Sequence, residues 1–243
     1  MSRKLFLSLI AVALVSLPSS MPAQHTSSAP AAASDSTSWE LAIKERREAL
    51  IQQNGPGTDA PLRDQLLGMR NKDQAARGFS NNKQVSGLTP DLVTKLHATD
   101  AELTLELKQI VDQKGWPTIS LVGIDASNAA MLILTHTADH AWQAKLLPQL
   151  EQLADTSKID ASNLALVIDK ELVAEGKLQR YGSQFKFVNG EMAMYGVEDP
   201  DGLDRRRARA LLPPMKVYKE VLAQIYHLKA SNAIVSATPP AQN

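Results

Sequence analysis

Cysteine is absent from the 243 residues. That excludes a disulfide scaffold, a cysteine-based zinc site and an iron–sulfur cluster. Glycine (12) and proline (13) are too sparse and too irregular for collagen or for wholesale disorder. Net charge is absent too, since 26 Lys and Arg meet 26 Asp and Glu. No overall field therefore draws the chain to nucleic acid or to an anionic membrane. Familiar catalytic signatures are missing as well. There is no His-Glu-x-x-His, no phosphate-binding glycine loop and no Gly-x-Ser-x-Gly elbow. What is present, at 44% hydrophobic and 21% charged residues, is enough apolar material for one sizeable core or two small ones.

The N-terminus has the pattern of an export leader. Arg3-Lys4 precedes an apolar run, Leu5 to Leu17, broken only by Ser8 and Ser16, and small residues follow up to a cleavage point at Ala23. As a helix this run rises about 20 Å, short of a bilayer core of about 30 Å. No later stretch approaches a membrane span, so none is expected after cleavage. Residues 1–23 therefore read as a secretory signal, and the expected location is periplasmic or secreted. Cleavage removes Arg3 and Lys4, which leaves a mature net charge of −2. Residues 24–37 carry no large apolar side chain and read as a disordered linker. Residues 230–243, with Pro239-Pro240, read as a disordered tail.

Between them, residues 38–229 predict a mainly α domain with one small β-hairpin. Helical spacing runs from Trp39 to Gln53 and stops at Asn54-Gly55-Pro56-Gly57. A second helix runs from Pro61 to about Gly78, buried through Leu62, Leu66, Leu67 and Met69. Thr89-Pro90-Asp91 starts a third, which reaches Lys114 before Gly115. Asp125 is expected to cap a helix containing Ala129 to Leu134, apolar all round and hence central. Further helices are expected near 141–154, 160–175, 203–212 and 215–228. Residues 184–195 carry two short strands about Asn189-Gly190, which suits a type I′ turn. That register pairs Phe187 with Met192 and Phe185 with Met194.

Asp169 is the most telling position. Ala165, Leu166, Leu172 and Val173, its neighbours at i±3 and i±4, are all apolar. A carboxylate there is expected to be at least partly buried, and it needs a cation, several donors or a raised pKa. Arg205, Arg206, Arg207 and Arg209 supply guanidinium groups that can hold an anion through paired hydrogen bonds. Gln179, Arg180, Tyr181 and Gln184 flank Gly182, where the backbone can bend or a ligand can approach. His136, Asp139 and His140 share one face if they share one helix, as a divalent metal would need. Asp139 equally suits an N-cap before Ala141-Trp142, which would separate the three.

The ordered set of motifs resembles an uncharacterised bacterial family known only as a domain of unknown function. The likeness rests on Asp73-Gln74, Gly115-Trp116-Pro117, Val122-Gly123, His136 to Gln143 and Leu146-Leu147-Pro148. It continues through Asp169-Lys170, Gly176, Gln179, Tyr181 to Gln184, Glu198-Asp199-Pro200, Asp204, Arg206-Arg207, Leu212-Pro213 and Tyr218, and it covers about 60–228. The chain departs from the family pattern at Lys170, where Arg is commoner, and at Thr137, where a His is usual. The resemblance implies a domain and no reaction.

Three functions fit these residues. One is a cell-envelope, hydrolase-like enzyme with His136, Asp139 and Asp169 as acid–base groups and an arginine clamp for an anion. Another is a non-catalytic module that binds a peptide, glycan or small anion through Gln179, Arg180, Tyr181, Gln184, Arg206 and Arg207. The third is a structural or assembly protein. No cofactor is implied, beyond the divalent metal that the His136, Asp139 and His140 spacing leaves open.

Overall fold

The computed structural model describes residues 36–80, 83–84 and 90–237. The 1–23 leader, the 24–37 linker up to residue 35 and the last six residues of the tail lie outside them. Helix α1 (Ser36–Asn54) ends at the expected Gly-Pro-Gly punctuation, and the Asn54 amide donates to Leu50 O and, at 2.9 Å, to Ser157 O. Helix α2 (Ala60–Ala76) is capped by Asp59, whose Oδ1 accepts from Leu62 N at 3.0 Å. A two-residue ladder, β1 (Phe79–Ser80) with β2 (Lys83–Gln84), precedes helix α3 (Pro90–Lys114).

The short helix α4 (Ile119–Val122) leads into α5 (Ile124–His136). Ala129, Ala130, Met131, Ile133 and Leu134 are all buried, and α5 packs against α2, α3, α4 and α7. Its central place follows from its apolar circumference. Asp125 is not its cap. Gly123 (φ +79°) starts the helix, and Asp125 sits in the first turn, 2.7 Å from Arg47 Nη2. Helix α6 (His140–Asp155) is capped by Asp139, and α7 (Ala161–Ala174) by Asp160.

The hairpin has the expected register. Strands β3 (Phe185–Val188) and β4 (Glu191–Tyr195) pair Phe185 with Met194 and Phe187 with Met192, and Asn189 and Gly190 both have positive φ. Phe185, Phe187, Met192 and Met194 join Leu203, Met215, Tyr218 and Leu222 in a second apolar cluster. Helices α8 (Leu203–Arg209) and α9 (Met215–Tyr226) cover it. The segment expected to be a disordered tail instead carries β5 (Lys229–Val235), which pairs parallel with β4. Lys-Ala-Ser-Asn-Ala-Ile-Val has weak strand propensity; its backbone bonds come from a distant strand that periodicity does not reveal. The observed architecture is mainly α with a small β element, and no helix among the described residues is long and apolar enough to cross a membrane.

Two glycines let the α1–α2 and α4–α5 connectors touch. A Cβ on Gly57 (φ +94°) would lie 2.4 Å from Gly123 N, and one on Gly123 would lie 2.7 Å from Pro56 O. Gly57→Ala is expected to cost about 3 kcal/mol in urea unfolding, through backbone strain and the clash. Gly68→Ala, on open helix surface, is expected to gain roughly 0.5 kcal/mol. Equal effects at the two sites would contradict this reading of the crossing.

Candidate acid–base site

Leu62, Leu66 and Met69 form the buried stripe of α2, and at the next turn the stripe is continued by Asp73. The apolar face thus delivers a carboxylate to the core with no solvent exposure. Three side chains answer it. His136, the last residue of α5, places Nδ1 2.6 Å from Asp73 Oδ1. Arg77, one turn on from Asp73, brings Nη1 to 3.0 Å from the same oxygen. Gln74 donates to Oδ2 at 2.8 Å. Arg77 reaches the other way to α3, where Nη2 donates to Asp100 at 2.9 and 3.2 Å.

The electrostatics separate the roles. Burial alone would raise the Asp73 pKa, but His136, Arg77 and Gln74 together hold it below the usual carboxylate value. Burial and the Arg77 guanidinium push His136 below the ordinary imidazole value, against the pull of Asp73 and Asp100. The direction of this shift favours the neutral imidazole near pH 7. The hydrogen-bond network assigns its proton to Nδ1, donating to Asp73. Its Nε2 is buried and has no hydrogen-bond partner among the described residues. An imidazole held by a carboxylate on one nitrogen, with a free lone pair on the other, is the arrangement of a general base.

The other expected site residues lie elsewhere. Asp139 caps α6 with Oδ1 on Trp142 N at 3.0 Å, and Oδ2 meets Lys108 Nζ at 2.5 Å. Its pKa is held down chiefly by Lys108. His140 Nδ1 meets Glu171 Oε1 at 2.7 Å. The chain breaks from helix between His136 and His140, so the three expected metal ligands are not brought onto one face. Asp169 is fully buried. Its Oδ1 accepts from Arg180 N and Tyr181 N at 2.7 and 2.9 Å, and its Oδ2 from Ser183 N at 2.8 Å. Burial pushes its pKa up against those three amides. Its neighbours are thus the backbone of the loop leading into the hairpin, and no hydrogen bond or ion pair joins it to His136.

The expected binding residues hold that same loop together. The Gln179 amide donates to Tyr195 O at 2.8 Å and accepts from Gln184 N at 2.8 Å. Gln184 Nε2 donates to Ser183 Oγ at 3.0 Å. Arg180 pairs with Glu198 at 3.2 Å. Arg206 donates to Arg180 O at 3.0 Å, to Asp199 O at 2.9 Å and to Glu198 O. Arg207 is fully buried, donates to Pro213 O at 2.7 Å and Tyr181 O at 2.5 Å, and lies 4.6 Å from the Tyr218 ring centre. Arg180 thus faces carboxylates, Arg206 faces backbone carbonyls and the Asp199 carboxylate at 3.0 Å, and Arg207 faces backbone carbonyls.

Sequence reasoning missed Asp73, Arg77 and Asp100 as site residues. The signal for Asp73 was present, because positions 62, 66, 69 and 73 form one stripe, the same argument that singled out Asp169. Asp73, Asp100 and His136 also offer one ligand atom each within 4.8 Å of one another. Arg77 already holds both carboxylates with its own positive charge, so a divalent cation there would have to displace it.

A family model described as "Family of unknown function (DUF6624)" matches residues 60–231. No curated protein and no solved structure matches the chain.

The depressed His136 pKa makes stability fall in acid. The unfolded chain takes up a proton near pH 6.5 and the folded chain does not, so stability is lost as pH falls below that value. Wild type is expected to lose up to about 1.4 kcal/mol more per pH unit than His136→Gln in this window. Parallel pH profiles of urea unfolding for the two proteins would contradict a neutral His136.

Proposed function

We propose, for a chain that belongs to the DUF6624 family of unknown function, an acid–base enzyme of hydrolase type with His136 as its general base. One observation carries the reading: His136 Nδ1 is held by Asp73 at 2.6 Å while buried Nε2 is left without a partner. In this reading Nε2 takes a proton from a water as the water attacks an electrophilic centre. Asp73 stabilises the imidazolium, which then protonates the leaving group. Arg77 keeps Asp73 ionised through the cycle. Nε2 lies below the surface, so this reading requires local opening for a water to reach it. The carboxylate of the pair is Asp73, rather than Asp139 or Asp169. The cell-envelope location rests on the leader pattern of residues 1–23.

A second reading, a non-catalytic module for a glycan, peptide or small anion, draws on a different place. A cleft of about 350 Å³ is lined by Thr58, Lys114, Thr118, Ser120 and Gln149 together with the apolar Trp116, Leu121 and Leu153. Hydroxyls, an amide and an ammonium beside an indole suit a polar ligand.

The two readings separate by turnover. The purified chain is screened against ester, phosphoester, glycoside and peptide substrates. His136→Gln is expected to lower kcat by about 100-fold or more, and Asp139→Asn to leave it near wild type. Turnover that survives His136→Gln would overturn the enzyme reading. Saturable binding of a saccharide or anion, with no turnover, would favour the second.

A further inference from the structure

Ile133, Leu134 and Thr135 in the last turn of helix α5, and Thr137 just after it, are buried, so the last carbonyls of the helix call for partners. Two side chains from other helices answer them. Gln143 of α6 donates to Leu134 O. Lys170 of α7 donates from Nζ to Thr135 O at 2.6 Å and to Thr137 O at 2.5 Å. These two carbonyls stand immediately before and after His136. A cation at a helix C-terminus is favoured by the dipole as well as by the hydrogen bonds.

We propose that Lys170 is a positioning residue for His136, clamping the backbone on both sides of the imidazole so that its Nδ1 stays on Asp73 and its Nε2 stays directed at the reacting water. A one-turn slip or a peptide flip at residue 136 would carry the ring off Asp73, and a lysine that holds one carbonyl on each side blocks both. The groups facing Lys170 fit a fixed ammonium. Glu171 on its own helix and Asp100 on α3 favour its charge, and Arg77 opposes it. Burial lowers its pKa to about 8, so the amine is still protonated at pH 7. A methionine would pack as well in a purely apolar setting.

The inference rests on the reading of His136 as the base, so its test reads the ring and not the turnover. In the full chain, the imidazole Nδ1 proton of His136 is followed by nuclear magnetic resonance for its shift and its exchange with solvent. The proton is expected to be protected in wild type and in Lys170→Arg, whose guanidinium can also reach two carbonyls. Its resonance is expected to be lost in Lys170→Met while circular dichroism shows the fold intact. Lys170→Gln, with one amide for two carbonyls, covers the case in which Lys170→Met does not fold, and it too is expected to lose the protected proton. A role in stability alone would lower the unfolding midpoint and leave that resonance and its exchange rate where they are, which would overturn the proposal. Failure to find any substrate would instead count against the acid–base reading and leave this result standing.

Discussion

A carboxylate with no access to solvent must be answered by donors, and Asp73 is where that requirement organises the molecule. Its two oxygens draw one residue from α5, one from the turn after α2 and one from its own helix. Arg77 then carries the tie to Asp100 on α3. Three helices are thus held at one polar point inside the bundle. Breaking such a set by removing one partner costs about 3–5 kcal/mol, yet apolar residues of equal volume would hold the helices as well. The polar set is therefore poorly explained as a stability device. The proposed acid–base reading gives it a reason, since a base in that role must stay neutral, fixed and unpaired on one nitrogen.

Helix α7 links this point to the rest of the fold through three consecutive residues. Asp169 gathers the amides of the 180–183 loop, Lys170 caps α5 on either side of His136, and Glu171 meets His140. Successive residues on a helix point about 100° apart, so one turn can serve three neighbours. Such a turn must be buried on most sides, and the run from Ser162 to Asp169 is buried at every residue. The sheet cluster and the helical core therefore share a polar seam that passes along α7.

Local structure was legible in the sequence because its causes are local. Gly55-Pro56-Gly57 stops α1, Asp160 caps α7, and Asn189-Gly190 fixes the β3–β4 register. The burial of Asp169 was legible for the same reason, since the helix wheel places it among apolar neighbours. Its partners were not, because backbone amides leave no mark in composition, and the nearby arginines drew attention instead. Strand β5 was missed since its bonds come from β4, far along the chain. Asp73 and Asp100 come from two different helices and Arg77 from the turn after α2, and they meet His136 only after the bundle packs. The stripe through position 73 could have raised the question, but spacing alone could not say which histidine answers it.

The central claim is that His136 is a neutral imidazole protonated at Nδ1 by virtue of Asp73. A nitrogen-resolved titration of that ring in the full chain, between about pH 5 and pH 8, tests it most directly. The account predicts the Nδ1-protonated tautomer in the neutral range, with the transition to imidazolium below the usual imidazole midpoint. A ring that takes up its second proton at or above that midpoint, or that carries its single proton on Nε2, would contradict it.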